Sequence, residues 1–209
     1  MIKPISRRLI LAGSALLPVR AAFADTLVPT PGQTEGPFYP TSLPADADND
    51  LVQVRGQSAR AMGTVLHLQG RVLDTSGKPL PGATVEIWQC DSNGIYDHPR
   101  QAGRDRRDTA FQGFGRIVAD ASGAYRFRTL KPVAYAGRSP HIHFKVAAAD
   151  GRRLTSQFYL AGDAGNANDF VYRNALSDQR VRERLDMRLA PAPGIEAGAF
   201  ATSMDIVIA

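Results

Sequence analysis

Apolar and polar positions alternate in short segments along most of the chain after residue 63. Alternation with a period of two is typical of β-strands that bury one face. It predicts strands over residues 65–73, 83–89, 115–119, 124–129, 141–147, 154–160 and 203–208. Clusters of Gly, Pro, Asp and Ser separate these segments. Short strands at this spacing indicate an all-β fold, an antiparallel β-sandwich.

The segments between and around these strands predict three further features. Turn-forming residues 74–79 separate the first two strands, so we expect these strands to form a hairpin. One short C-terminal helix is predicted over residues 174–189, where apolar residues recur every four or five positions among charged side chains. Residues 25–62 are rich in Pro, Gly, Asp and Asn without a sustained period, and we expect an extended arm that wraps the domain.

The first 24 residues have the composition of an export signal. They contain four basic residues, no acidic residue and the apolar run 9–17, followed by small residues at 22 and 24. Arg7 and Arg8 ahead of this run resemble a bacterial twin-arginine signal, with a general secretory signal or an uncleaved leader as the alternative. We expect cleavage after Ala24 and a periplasmic or secreted protein. A run this short does not span a bilayer, so no membrane attachment is expected after signal removal.

Composition excludes several classes of protein. Four of the 25 Lys and Arg residues lie in the export signal, which leaves 21 basic against 20 acidic residues and no indication of nucleic-acid binding. The single cysteine, Cys90, excludes an intramolecular disulfide and a thiolate-rich zinc or iron–sulfur cluster. The length of 209 residues fits one domain, which we place at 63–209 after the arm.

The histidines limit the metal sites that the chain can build. There are four, and only His141 and His143 lie close together in the sequence. On a strand, residues i and i+2 point to one face about 6.6 Å apart, so both imidazoles can converge on one ion. A cupin-type site is disfavoured because no acidic residue follows the pair before Asp150. The pair alone is equally compatible with two core or surface histidines.

Two tyrosines and an arginine are further candidates. Tyr135 and Arg138 precede His141 by six and three residues, and Tyr96 follows the strand predicted over 83–89. Phenolate is a hard anionic oxygen donor, and a bound cation lowers the pKa of tyrosine enough to deprotonate it. Two tyrosinates and two histidines would suit ferric iron. The alternative is that both tyrosines are half-buried aromatic side chains at strand ends.

Five segments occur in an order and at spacings that resemble a known family. They are TEGPFYP at 34–40, WQ to GIY at 88–96, LKP to Y at 130–135, RSPHIHF at 138–144 and SQFY at 156–159. On these segments the chain resembles the intradiol ring-cleavage dioxygenases, in particular the beta chain of the protocatechuate 3,4-dioxygenase branch.

The resemblance implies a transthyretin-like sandwich that binds non-haem Fe(III), cleaves catechol-type rings with O₂ and releases muconate-type diacids. The implied metal ligands are Tyr96, Tyr135, His141 and His143, and the implied catalytic residues are Arg138, Tyr135 and Gln157. In that family the second tyrosine leaves the metal when catechol binds and takes a proton, and the arginine stabilises negative charge on the substrate.

The chain departs from the family in ways that bear on substrate and assembly. It lacks the long helical N-terminal region of catechol-specific members, which favours the protocatechuate-like plan, as a homo-oligomer or with a companion chain. Ala136 and Gly137 replace a bulky aromatic residue expected near Tyr135, which predicts a wider or differently shaped pocket. A nearby arginine-rich loop would attract acidic aromatic substrates or form a solvated face; its members are Arg100, Arg104, Arg106 and Arg107.

Two other functions compete with ring cleavage. The segment 70–85 also resembles the opening hairpin of transthyretin-like and carboxypeptidase-regulatory modules, so a non-catalytic extracytoplasmic binding module is the alternative. Such a module does not require the four candidate metal ligands to converge, whereas a dioxygenase does. A third function keeps the ferric site for another reaction, because ligands define the metal more tightly than the substrate.

Overall fold

The computed structural model describes residues 26–174 and 178–209 and contains two five-stranded sheets. The strands are β1 (Val65–Asp74), β2 (Thr84–Trp88), β3 (Phe114–Val118), β4 (Ala124–Leu130), β5 (His141–Ala147), β6 (Arg153–Leu160), β7 (Asp186–Met187), β8 (Ala190–Pro191), β9 (Phe200–Ser203) and β10 (Ile206–Ile208). The described helices are short: α1 (Phe170–Asn174), α2 (Gln179–Glu183) and the 3₁₀ turns Arg104–Arg106 and Ala164–Ala167.

The two sheets form a sandwich. One sheet has the order β10-β1-β9-β8 with β4 also paired to β1, and the other has the order β3-β2-β5-β6-β7. Most neighbours are antiparallel, but β1 pairs in parallel with β9 and β10, and β6 with β7. The predicted all-β sandwich is therefore confirmed, with parallel pairs added at these positions.

The hydrophobic core fills the space between the sheets. Its largest fully buried side chains include Leu66, Leu68 and Phe127 from one sheet and Ile87 and Phe144 from the other. Since successive residues of a strand point to opposite faces, the inward residues of β2 and β5 leave their neighbours on the outer face. That outer face is where the candidate site lies.

The expected hairpin between the first two strands is wrong, because β1 and β2 belong to different sheets. The chain does turn back after β1, and the Leu80 N–H donates to the Val72 carbonyl at 2.9 Å. Gly82 does not continue this ladder, because its N–H donates to the Ala119 carbonyl at 3.0 Å, and the chain crosses to the other sheet. Turn residues predict the reversal of the chain but not the partner of the next strand.

The single helix predicted over 174–189 is also wrong in extent. Within that span α2 is helical, residues 175–177 lie outside the described residues, and β7 is a strand. Met187 pairs with Leu160 at the edge of β6, and Leu185 is fully buried. The apolar spacing in this segment therefore serves a sheet edge rather than one long helix.

The segment from residue 26 to 64 runs mostly without regular structure along the sandwich. Thr30 donates its N–H to the Val207 carbonyl at 2.9 Å, and Gln33 donates to the Thr155 carbonyl at 2.8 Å. The extended arm is predicted over this part of the chain, whereas the predicted export signal at 1–24 lies outside the described residues. None of the helices in the described ranges is long and apolar enough for a bilayer crossing.

An ion-pair network joins the arm and strand β4 to the C-terminal segment. Arg128 lies between two carboxylates, with Nε 2.8 Å from Glu196 Oε2 and Nη1 2.9 Å from Asp50 Oδ1. Arg60 and His67 also contact Glu196. Because Glu196 accepts charge-assisted bonds from several partners at once, it contributes more than an isolated surface pair would.

Replacing Glu196 with Gln should lower the free energy of unfolding by roughly 1–2 kcal/mol at pH 7, measured by urea unfolding. Hydrogen bonds from Arg128 lower the pKa of Glu196 from 4.5 to about 2. The folded pKa lies below the unfolded one, so this stabilisation is present above pH 4.5 and is lost as the pH falls towards 2. The exposed Glu183→Gln variant is the control. Equal losses in the two variants at pH 7 would contradict the assignment.

Candidate metal centre and active site

Strand β5 places two histidines side by side on the outer face of its sheet. Ile142 and Phe144 point into the core, so His141 and His143 point away from it. Each histidine is nevertheless only 1% exposed. Their Nε2 atoms are 3.1 Å apart, so both imidazoles are directed at one point.

The strand register adds one neighbour on each side of His143. Trp88 of β2 and Gln157 of β6 are its cross-strand partners, and Tyr159 is the partner of His141. Directly opposite residues of antiparallel strands project from the same face. The Trp88 indole stacks on the His143 imidazole, with ring centroids 4.8 Å apart and an interplanar angle of 10°. The register therefore fixes the plane of this imidazole.

A two-residue turn before β5 holds Tyr135 and Arg138 together. Arg138 donates its N–H to the Tyr135 carbonyl at 2.7 Å, and the pair forms an isolated antiparallel bridge. Ala136 and Gly137 between them have φ angles of 41° and 78°. Positive φ at both central positions is the signature of a type I′ turn. The phenol and the guanidinium are thus fixed at the two ends of the turn, and the Tyr135 ring lies 5.5 Å from that of His141.

The loop after β2 delivers the second tyrosine. Asp91 Oδ1 accepts the N–H groups of Asn93 and Ile95, both at 2.9 Å, and this turn leads directly to Tyr96. The Tyr96 ring lies 5.1 Å from that of Tyr135. Tyr96 is buried, and its hydroxyl has no hydrogen-bond partner among the described residues.

The arm covers these four side chains. Phe38 stacks on Tyr96 with ring centroids 4.7 Å apart. Gly36 passes so close to the histidines that a Cβ atom on it would lie 3.4 Å from His143 Cε1. Tyr39 donates its hydroxyl to Glu86 at 2.9 Å beside Trp88. Burial of the outer face therefore depends on the segment around residues 36–39.

Hydrogen bonding and burial set the protonation of the histidines. The Nδ1–H of His141 donates to the Ser139 carbonyl at 2.6 Å, which leaves the Nε2 lone pair directed into the site. Burial, with the nearby Arg138 charge, lowers the pKa of His141 to about 4. Burial and the neighbouring His141 lower the pKa of His143 well below its usual value. Both imidazoles are neutral at pH 7, as metal ligation requires.

The phenols have the opposite requirement. Burial raises the pKa of Tyr96 well above 10 and also raises the pKa of Tyr135. Without a cation both remain neutral phenols. A bound metal ion reverses this preference because it stabilises the phenolate directly.

These four side chains fit one metal ion. Two nitrogens that each bind an ion at about 2.1 Å lie about 3 Å apart when the bond angle is near a right angle, as the Nε2 atoms do. In the described ranges, no group of three or more His, Cys, Asp or Glu side chains could hold a metal. The phenols next to the two imidazoles are those of Tyr96 and Tyr135, with ring centroids 6.1 Å from His143 and 5.5 Å from His141, and their oxygens would complete the donor set of a cation there.

The two remaining sequence candidates contact each other beside the histidines. Arg138 donates from Nη2 to Gln157 Oε1 at 2.7 Å and to the Tyr159 hydroxyl at 3.3 Å. Gln157 donates in turn to the Thr34 carbonyl of the arm at 3.0 Å. The structure thus brings together all six residues named from the sequence: Tyr96, Tyr135, Arg138, His141, His143 and Gln157.

Sequence reasoning missed two polar residues of this cluster, Tyr159 and Asp169. Asp169 accepts from Arg138 Nε at 2.8 Å and is fully buried. Tyr159 lies in the SQFY segment, and strand alternation from Gln157 would have placed it on the same face. Asp169 lies outside every strand and helix predicted from the sequence, so no pattern there singles it out.

The arginine-rich loop is partly paired. Arg104 and Arg107 both contact the Asp97 carboxylate, at 3.0 and 3.4 Å, and Arg100 is exposed. The Arg104 side chain is 52% exposed, which supports a solvated face at that position, whereas that of Arg107 is only 21% exposed.

Comparison with known proteins identifies the family. A family profile described as Dioxygenase matches residues 34–208. The chain belongs to the intradiol ring-cleavage dioxygenases. It is 32% identical over 202 residues to the protocatechuate 3,4-dioxygenase beta chain of Burkholderia cepacia, covering 92% of this chain and 81% of that protein.

Two further relatives support the family assignment. The chain is 33% identical over 161 residues to a catechol 1,2-dioxygenase of Acinetobacter baylyi, covering 68% of this chain and 50% of that protein. It therefore spans about half the length of that relative. The dioxygenase domain of a dioxygenase carbohydrate-binding protein fusion from Streptomyces sp. SirexAA-E superposes with a TM-score of 0.66 at 29% identity, covering 86% of this chain and 97% of that domain.

A pair of glycine substitutions tests whether the arm shapes the metal centre. Gly36 and Gly56 have φ angles of 73° and 81°, but an added Cβ meets His143 at Gly36 and nothing within 4 Å at Gly56. Gly36→Val and Gly56→Val should each lose about 1–2 kcal/mol of stability from backbone strain. Gly36→Val alone should also lower the iron bound per chain, measured by elemental analysis after loading. Equal iron contents in the two folded variants would refute a role for this contact.

Proposed function

We propose that this chain is a ferric-iron intradiol dioxygenase, which cleaves the bond between the two hydroxyl-bearing carbons of a catechol ring. One molecule of O₂ is consumed, and both oxygen atoms enter the muconate-type diacid product. The observation that supports this most directly is the convergence of His141, His143, Tyr96 and Tyr135 beside Arg138. A non-catalytic sandwich gives no reason for two histidines and two tyrosines to meet at one point.

Ferric iron, which members of this family typically use, would be held by these four side chains and would activate a bound catecholate towards O₂. The two tyrosines have different roles because their surroundings differ. Tyr96 is buried beneath Phe38, whereas Tyr135 is partly exposed next to the exposed Ala136 and Gly137. Tyr135 is therefore the donor that can move, and its phenolate oxygen accepts a catechol proton.

Arg138 supplies the positive charge of the site. Its side chain is 12% exposed, so its field is weakly screened by water. The guanidinium stabilises the negative charge that develops on the substrate. Gln157, which is itself bonded to the Thr34 carbonyl of the arm, holds one edge of Arg138. The Trp88 and Phe38 rings exclude water from the metal-binding atoms.

Visible absorption of the iron-loaded protein tests the ligands. Tyrosinate bound to Fe(III) absorbs visible light through charge transfer, so the protein should be coloured and its band should shift to longer wavelength when catechol is added anaerobically. Tyr96→Phe should lose much of the band. Tyr125→Phe should keep it, because that buried tyrosine donates to the Met204 carbonyl in the core. A folded, iron-bound but colourless wild-type protein would exclude tyrosinate ligation and favour the non-catalytic binding module.

Oxygen uptake tests the reaction and its substrate class. Catechol and 3,4-dihydroxybenzoate are the first substrates to compare, with one O₂ expected per ring cleaved. Arg138→Ala should lower kcat/KM by about 10²–10³-fold because it removes charge stabilisation in the transition state. The exposed Arg100→Ala variant should keep wild-type activity. Equal activity of the two variants would argue against a catalytic Arg138.

We also propose that the enzyme is exported and works as an oligomer. The support for export is the paired Arg7 and Arg8 before the apolar run 9–17. Replacing both arginines with Lys should retain the protein in the cytoplasm of a bacterial host, measured by cell fractionation.

The relative from Burkholderia cepacia is named a beta chain, which supports a companion chain or a second copy of this chain in the oligomer. Light scattering of the purified protein distinguishes a monomer from an oligomer.

A further inference from the structure

Asp169 is a fully buried carboxylate that accepts hydrogen bonds from two neighbouring residues of the candidate site, Arg138 and Ser139. Its Oδ2 atom accepts from Arg138 Nε at 2.8 Å, from the Ser139 N–H at 2.9 Å and from the Ser139 hydroxyl at 3.0 Å. One oxygen therefore holds both the arginine and the residue that follows it.

The other oxygen of Asp169 is fixed from the opposite side. Oδ1 accepts the N–H groups of Val171 and Tyr172, at 3.0 and 3.1 Å, at the start of α1. The carboxylate thus has four N–H donors and one hydroxyl donor, and its orientation is set by backbone on both sides. Bonds from Ser139, Tyr172 and Arg138 keep the pKa of Asp169 below its usual value despite burial, so it is ionised at pH 7.

The contact with Ser139 extends to a candidate metal ligand. The Ser139 carbonyl accepts from His141 Nδ1 at 2.6 Å, and that bond sets the tautomer of the imidazole. Asp169 therefore contacts Arg138 directly and is linked to His141 through one intervening residue, Ser139.

We propose that Asp169 is a positioning residue for ring cleavage: it holds Arg138 in its working orientation and, through Ser139, fixes His141. This inference rests on the proposed function. A carboxylate suits this role because it only accepts hydrogen bonds, and both of its faces meet donors. An asparagine has a single acceptor oxygen, so its NH₂ group must face either Arg138 and Ser139 or the N–H groups of α1.

NMR of the metal-free protein tests the positioning without activity. In Asp169→Asn, the Arg138 Nε–H and the His141 Nδ1–H should exchange with water at least about 10-fold faster than in wild type. Arg138 loses its carboxylate acceptor, and Ser139, whose carbonyl accepts from His141, loses the carboxylate that holds it. The matched control is Asp178→Asn, because Asp178 caps α2 by accepting the Arg180 N–H at 2.8 Å and is exposed. It should leave both signals unchanged. Unchanged exchange in Asp169→Asn would overturn the proposal.

A double-mutant cycle separates positioning from loss of a helix cap. In iron-loaded protein, Asp169→Asn should lower kcat by about 10–100-fold with a smaller change in KM. In an Arg138→Ala background the same change should lower kcat by a clearly smaller factor, because only the contact from Asp169 through Ser139 to His141 is left to lose. Equal losses in both backgrounds would show a merely structural role. A wild-type protein that consumes no O₂ with any catechol would instead refute the proposed function, and the exchange measurement would still decide the contact.

Discussion

The candidate site depends on the alternation of β5, since this one strand serves both the core and the metal centre. Ile142, Phe144 and Val146 fill the sandwich, and the intervening His141 and His143 point outward. A slip of one residue would exchange the two sets and place both imidazoles in the core. The ladders with β2 and β6 prevent such a slip, and they also align Trp88 and Gln157 with His143.

Outward-facing imidazoles need a cover, which a two-layer sandwich does not itself provide. The arm supplies it, with Gly36 against His143 and Phe38 against Tyr96. Backbone and side-chain bonds at Gln33 and Thr34 attach the arm to β6. A segment without regular structure therefore has a defined role: it lowers the local dielectric around the neutral histidines and strengthens the field of Arg138.

The strands and the grouping of candidate residues could be predicted from sequence because both follow from short-range patterns. The alternation over 141–147 coincides with β5, and Tyr135, Arg138 and His141 are near neighbours along the chain. The errors arose where distant partners decide the outcome. The choice of sheet after Pro81 and the pairing of Met187 with Leu160 are tertiary events with no local signal. Asp169 is 31 residues from Arg138, and only the folded structure shows that they meet.

Local costs of folding concentrate around the four candidate ligands. Tyr96 Oη and His143 Nδ1 are buried without hydrogen-bond partners among the described residues, as is the indole N–H of the stacked Trp88. Among those residues Ala136 alone combines a side chain with a positive φ, and it lies between Tyr135 and Arg138. Each feature destabilises the fold by itself, so their coincidence at one point needs an explanation beyond packing. A bound cation provides it for the phenol, because ligation gives Tyr96 Oη the partner that it lacks and adds its binding free energy to the stability of the folded state.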